Sequence, residues 1–380
     1  MPVGQVKRNQ ITNAGLEPLT DWLELRSLDI HGTKVTDRGL QDYLAAMPRL
    51  QGLSLAYLNI GDAGIESLDT LVWLDRLNLK STFITNAGIT RLANERAHTL
   101  KNINLSNTAL KDKALEAFPT DSQIQQLRVT DTAITDVGVA HVSRFPWLHT
   151  LDLGLTDVTD DGTRFLADSH HLRVLDLSST NVTDTTLVWL SDTSIQQLKL
   201  GGTKVTDAGM PAVADLESLS SLDLAGTVTT ERGLRFLSEA TSLERLFIEH
   251  TQVGSGSLEP LRELPLQSLM ISREVSDNGV ASLGRLEELR HLAVYDTKAN
   301  SWGPLTQLEK LEILLVDDSV GDLSALKEMT SLRHLLLAGE QFAPTEVARL
   351  RPALPRCQID VIPWKQRPDL LFRSLLPHLF

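Results

Sequence analysis

Leu198-Lys-Leu200-Gly-Gly-Thr203-Lys-Val205-Thr206-Asp207-Ala-Gly209-Met210 is one copy of the unit from which this chain is built. As a pattern it reads L-x-L-x-x-T-x-V-T-D-x-G-apolar. The first position of L-x-L recurs at Leu28, Leu53, Leu77, Ile103, Leu127, Leu151, Leu175, Leu198, Leu222, Leu246, Leu269, Leu292, Leu314 and Leu335. Most steps are 23 to 26 residues; the last shorten to 22 and 21, and a further step of 22 reaches Cys357. An incomplete unit, Ile11-Thr-Asn13-Ala-Gly15-Leu16, stands in front. Self-similarity at a fixed period specifies an array in which each unit packs on its neighbours and no central core has to grow. The 380 residues are therefore expected to form one elongated domain over 1–362, with 363–380 as a cap or tail.

Each segment of the unit has a physical role. L-x-L alternates with period two and predicts a very short strand with both leucines inward. Repetition with the same return stacks such strands into a parallel sheet. The threonine column (Thr33, Thr82, Thr108, Thr132, Thr156, Thr180, Thr203, Thr227, Thr251, Thr297) falls where the chain leaves the sheet. Its hydroxyls are expected to satisfy the turns of adjacent units. Leu58, Glu274 and Glu340 interrupt the column and predict local irregularity. Thr-Asp before apolar pairs such as Ile89/Leu92 and Leu187/Leu190 is a helix start. Glycines such as Gly138 and Gly209 are expected to admit close approach between neighbouring turns. Bulkier helices outside and strands inside predict an α/β right-handed solenoid, a curved horseshoe with its parallel sheet on the concave face and short helices on the convex face. Fourteen strands at ~4.8 Å make an arc of about 65 Å. The units after Asp317 lack V-T-D-x-G, so thinner backs and relaxed curvature are expected there.

Charge and composition exclude several classes. With 36 Lys plus Arg against 49 Asp plus Glu, the net charge of −13 disfavours nonspecific nucleic-acid or anionic-membrane binding. The single cysteine, Cys357, cannot form an intrachain disulfide and is expected at an inward strand position. The first ten residues lack the apolar core of a signal peptide, and no run approaches the ~18 apolar residues of a membrane span. No membrane insertion is expected, the sequons at Asn104 and Asn181 carry little weight, and the cytoplasm is the expected location.

The recurring L-x-x-L-x-L-x-x-T-x-V-T-D-x-G-L register resembles the leucine-rich repeat family from Ile11 to Ile362. Within it, the pattern is similar to the cysteine-containing, ribonuclease-inhibitor-like subtype, with threonine in the ladder position. Leu350-Arg-Pro-Ala-Leu354-Pro-Arg-Cys357-Gln-Ile359 looks like the final unit of bacterial versions. F-box proteins and bacterial ubiquitin-ligase effectors also carry such arrays, but neither an F-box-like segment nor a ligase domain is seen beside this one. The resemblance implies a noncatalytic, monomeric scaffold that binds a protein partner. A substrate-recognition subunit of an enzyme complex, ubiquitin-ligase-like or kinase-linked, is the alternative.

Specificity can be written at the residue between the leucines. That file is polar through Asp29, Ser54, Asn78, Asn104, Arg128, Asp152, Asp176, Lys199 and Asp223, then apolar through Phe247, Met270, Ala293, Leu315 and Leu336. Arg245, Phe247, Glu249, His250, Met270, Arg273, His291 and Tyr295 together have the composition enriched at protein interfaces, and this solvent-facing cluster is the expected partner site. Weaker features point elsewhere. Asp152, Asp176 and Asp223 do not make the dense oxygen cage a cation needs. His170-His171 with Asp168 reads as a solvated loop, and Ser324-Ala-Leu-Lys327 lacks partner motifs for catalysis. No metal, cofactor or catalytic residue is assigned. Finally, Leu370, Leu371, Phe372, Leu375, Leu376, Leu379 and Phe380 make the tail apolar. It is expected to cap the open end or lie as a flap over Ile313, Leu315 and Leu336; a peptide that docks to another molecule is the alternative.

Overall fold

Every L-x-L segment becomes a strand, followed by a short helical return, in the computed structural model, which describes residues 10–254, 258–273, 275–320, 323–340, 342 and 344–376. Contacts group the chain into two units, Met1–Val182 with Thr193–Ile195 and Thr183–Asp192 with Gln196–Phe380. The first contains β1 (Ser27–Asp29), β2 (Gly52–Ser54), β3 (Arg76–Asn78), β4 (Asn102–Asn104), β5 (Gln126–Arg128), β6 (Thr150–Asp152) and β7 (Val174–Asp176). The second contains β8 (Gln197–Lys199), β9 (Ser221–Asp223), β10 (Arg245–Phe247), β11 (Ser268–Ser272), β12 (His291–Tyr295), β13 (Ile313–Asp317), β14 (His334–Ala338) and β15 (Gln358–Ile362). Within each unit the strands are parallel and ordered as in the sequence. Equivalent leucines pair: Leu28 with Leu53 and Leu53 with Leu77 in the first, Leu246 with Leu269 and Leu269 with Leu292 in the second. Both units thus have the α/β leucine-rich-repeat fold.

The core is the stacked inward row, with Leu77, Leu79, Leu151, Leu153, Leu222 and Leu224 all buried. At about 25 cal/mol per Å² of apolar surface, each buried leucine stabilises the stack by roughly 1.5–3 kcal/mol before chain entropy is counted. The final step departs from the sequence expectation. Leu335 pairs with Ile359, so Cys357 precedes β15 and is only half-buried. The long jump follows from the helix Pro344–Leu350 and the Arg-Pro-Ala-Leu-Pro connection, which take more chain than the 3-10 turns Gly303–Gln307 and Ser324–Glu328 of the two preceding returns.

The turns work differently from the expected ladder. The column threonines from Thr33 to Thr251 donate to a carbonyl of their own unit, three residues back: Thr82 Oγ1 to Leu79 O at 2.7 Å, Thr203 Oγ1 to Leu200 O at 2.6 Å; Thr297 Oγ1 instead lies 3.1 Å from Ser319 Oγ of the next unit, as the expected ladder would place it. The geometry follows from the preceding residue, which turns into the left-handed region, with φ of +57° at Ser81, +52° at Asn107 and +54° at Leu155, a bend that Tyr57 also makes before Leu58. That bend folds the hydroxyl back on its own strand. The amide of the same bent residue spans to the next unit, as in Tyr57 N to Lys80 O at 2.8 Å. At the interrupted position Leu58 fills the space with a buried side chain, whereas Glu340 is exposed and Glu274 lies outside the described residues.

Adjacent units are joined by the aspartate of V-T-D. Asp112 Oδ1 accepts from Thr135 N at 2.8 Å and Gly138 N at 3.1 Å, and Asp112 Oδ2 accepts from Thr135 Oγ1 at 2.7 Å. Asp207 does the same to Thr230, at 2.7 and 2.6 Å. The threonine so held caps its own helix: Thr135 Oγ1 accepts from Val137 N at 3.3 Å. The glycine three residues after each threonine so held answers to this bond. A Cβ on Gly138 would stand 2.7 Å from Asp112 Oδ1, and one on Gly233 2.6 Å from Asp207 Oδ1. Glycine leaves room for the preceding unit's carboxylate, a reason specific to this seat rather than a need for positive φ.

Candidate protein-binding face

The residue between the leucines stands on the sheet face opposite the helices, and its polar choices have a structural reason first. Asp or Asn there accepts from the amide two residues on, which the bend leaves without a strand partner: Asn78 Oδ1 from Lys80 N at 3.1 Å, Asp176 Oδ1 from Ser178 N at 2.9 Å, Asp223 Oδ1 from Ala225 N at 2.9 Å. Asp152 also accepts from Thr130 Oγ1 at 2.5 Å. These carboxylates terminate turns. Among the described residues no group of three His, Cys, Asp or Glu is placed to hold a metal ion.

On the first unit this face is polar and uncovered, with a shallow depression of about 320 Å³ between Asp29, Ser54, Arg76, Asn78, Asn104 and Arg128. On the second unit it is apolar and covered. Phe247, Met270 and Tyr295, read from sequence as solvent-facing, are 1%, 0% and 3% exposed. The cover is the chain's own C-terminal helix, Pro368–Leu375. Phe372 and Leu376 are buried in one cluster with Phe247, Met270, Ala293, Tyr295, Leu315 and Leu336, and Leu371, Leu375 and Ile313 pack against it. Trp364, just before the helix, lies with its ring centre 5.3 Å from that of Tyr295.

One charge enters this apolar seat. Arg373 Nη1 donates to Asp223 Oδ2 at 2.7 Å, Arg373 Nη2 donates to Glu249 Oε1, and the guanidinium carbon stands 4.5 Å from the centre of the Phe247 ring. Burial pushes the Glu249 carboxyl up to about 7 against the pull of Arg373, with Asp223 adding to the rise.

The expected site residues divide accordingly. The structure brings Phe247, Glu249, Met270 and Tyr295 together beneath the helix. His250 and Arg273 are exposed at the bends, with the His250 ring centre 6.0 Å from Tyr295 and Arg273 Nε 4.0 Å from Asp296 Oδ2. Arg245 and His291 are half-buried at the strand starts, Arg245 Nη2 donating to Ser220 Oγ at 3.4 Å and His291 Nδ1 lying 2.9 Å from Ser268 Oγ. Burial lowers the pKa of both His250 and His291. Sequence reasoning did not assign Asp223 and Arg373 to this site. The signal available was one arginine inside the apolar tail and two acidic residues beside Phe247, Asp223 on the neighbouring strand and Glu249 two residues on. Of the weaker features, Cys357 donates to Gln358 O at 3.4 Å and burial raises its thiol pKa to about 11, which makes it a poor nucleophile. Ser324 and Lys327 sit on one 3-10 turn.

A leucine-rich repeat family model matches residues 146–167 and 168–187. An internalin from Listeria monocytogenes superposes with a TM-score of 0.51 at 19% identity, covering 92% of this chain and 88% of the internalin. A leucine-rich repeat protein from Leptospira interrogans superposes with a TM-score of 0.52 at 19% identity, covering 93% of each chain. The chain has the leucine-rich repeat fold. No curated protein sequence matches the chain. Among the described residues, no helix is long and apolar enough to cross a membrane.

Proposed function

We propose that this leucine-rich repeat protein is a noncatalytic protein-binding module, and that the second unit's sheet face is its partner surface. Arg245, Phe247, Glu249, His250, Met270, Arg273, His291 and Tyr295 would make the contacts, the aromatic and methionine side chains as anchors and the bend residues as the polar rim. The observation that carries the reading is the helix already seated there, since a surface that buries one polypeptide segment through an apolar row and an ion pair has the chemistry to bury another. The polar face of the first unit lacks such an anchor row. A catalytic role would require convergent polar groups in an enclosed pocket, and the clusters described above are turn-forming or ion-pairing.

Site-specific photo-cross-linking in producing cells tests the reading. A photoreactive residue in place of His250 or Arg273 is expected to give a discrete heteromeric adduct that the same residue in place of Val137, exposed on a first-unit helix, does not. Equal adducts from all three positions, or none, would reject the surface.

A further inference from the structure

The seated helix is an incomplete occupant, and what it leaves undone describes a better one. Arg373 bonds one oxygen of Asp223 and one of Glu249. Glu249, only 5% exposed, keeps its second oxygen, Oε2, buried without a hydrogen-bond partner. Arg245 Nε, at the start of the strand that leads to Glu249, is likewise buried and unpartnered. A buried acceptor without a donor weakens the docked state, so the tail fills the apolar row while leaving the acidic end partly unsatisfied. The apolar positions of the helix, Leu371, Phe372, Leu375 and Leu376, fall at i, i+1, i+4 and i+5, one stripe of an amphipathic helix.

Resting on the proposed protein-binding role of this face, we propose that its partner presents an arginine-bearing amphipathic helix, which enters by displacing the chain's own C-terminal helix. The arginine takes the place of Arg373 between Asp223 and Glu249, and a second donor beside it reaches Glu249 Oε2. The tail then acts as a tethered competitor. A segment joined directly to β15 competes at an effective concentration on the order of millimolar, so a free helix binds the intact chain weakly and the released chain well.

The test uses the full chain and a fluorescein-labelled peptide of residues 363–376, followed by anisotropy. The Phe372→Ala/Arg373→Ala chain, whose tail cannot hold the seat, is expected to bind the peptide at least tenfold more tightly than the wild-type chain. A peptide carrying Arg373→Ala is expected to lose at least tenfold on the same chain. Circular dichroism monitors folding, and Arg373→Gln, which keeps the apolar contacts, is a second variant expected to fall between the two. Equal affinity for wild-type and released chains, or no binding to a folded released chain, overturns the proposal. A wild-type dimer with exchanged tails in sedimentation would assign the face to a second copy and overturn it as well. If the peptide fails while cross-links at positions 250 and 273 persist, the helix chemistry falls and the interface reading stands.

Discussion

Replacing Arg373 by alanine removes the cation that reaches both Asp223 and Glu249 from the C-terminal helix. The three side chains are 16%, 12% and 7% exposed, so solvent screens the interaction little. Breaking a buried pair by removing one partner costs about 3–5 kcal/mol. Loss of the guanidinium from the Phe247 ring adds roughly 1 kcal/mol. Proton uptake by Glu249 offsets part of this, leaving a net loss of about 3 kcal/mol in docking. At 1.4 kcal/mol per factor of ten, amide exchange in the helix should accelerate about a hundredfold if docking limits it. Hydrogen exchange with mass spectrometry reads this directly on fragments spanning residues 364–376. The strands of the first unit, which make no contact in this seat, should exchange as in the wild type. Helix protection within threefold of wild type would refute the reasoning, because it would mean that the ion pair contributes nothing to holding the tail.

Three further outcomes follow from the geometry. Docking should weaken between pH 5 and pH 8: Glu249 has its pKa raised in the docked state to about 7, so its contribution is fully present below the ordinary carboxylate range and is lost as pH rises through 7. Asp223, Arg373 and Tyr295 are the other titratable groups of that seat, and intrinsic-rate-corrected exchange of the helix amides across this window checks the sign. Gly138→Ala should destabilise the first unit by about 2 kcal/mol, since the new methyl meets Asp112 Oδ1 and Ile134 Cγ2; on an Asp112→Ala background the same change should cost less, the contact with Ile134 remaining, a coupling that a double-mutant cycle of urea melts measures. Leu155→Gly should raise stability by about 1 kcal/mol, because Leu155 holds φ +54° with its side chain exposed, and no stabilisation in thermal melts would show that the bend is not strained.

Much of the fold was legible because burial writes itself into the period. The inward leucines must recur, and their recurrence located β1 to β14 by residue. What the period could not carry were the contacts made between units by polar atoms. Gly138 read as a point of close approach between neighbouring turns, and only the neighbouring coil shows that Asp112 is what approaches it. The threonine column was visible, but its bonding direction depends on the left-handed residue before it, a position filled by Tyr57, Ser81, Asn107 and Leu155, which share no side-chain chemistry. Cys357 was misregistered because its return contains a full helix, so the spacing no longer counts strands.

The candidate site was legible in identity and not in exposure. Phe247, Met270 and Tyr295 stood out as an apolar file on the sheet face, and the tail was recognised as apolar enough to lie on that end. Whether a sheet face meets water depends on a segment several coils away in sequence, and local pattern holds no record of that pairing. The Asp223–Arg373–Glu249 set was the remaining clue, because an arginine set between leucines needs an acidic destination.

Methionine oxidation tests the central claim most directly. Met270 is buried by the C-terminal helix, whereas Met47 and Met210 are buried within the coils. Under hydroxyl-radical footprinting, Met270 should be as protected as Met47 and Met210 in the wild-type chain, and should alone become reactive in the Phe372→Ala/Arg373→Ala chain. A reactive Met270 in the wild type, or one still protected after both substitutions, would contradict the claim that the tail covers the face.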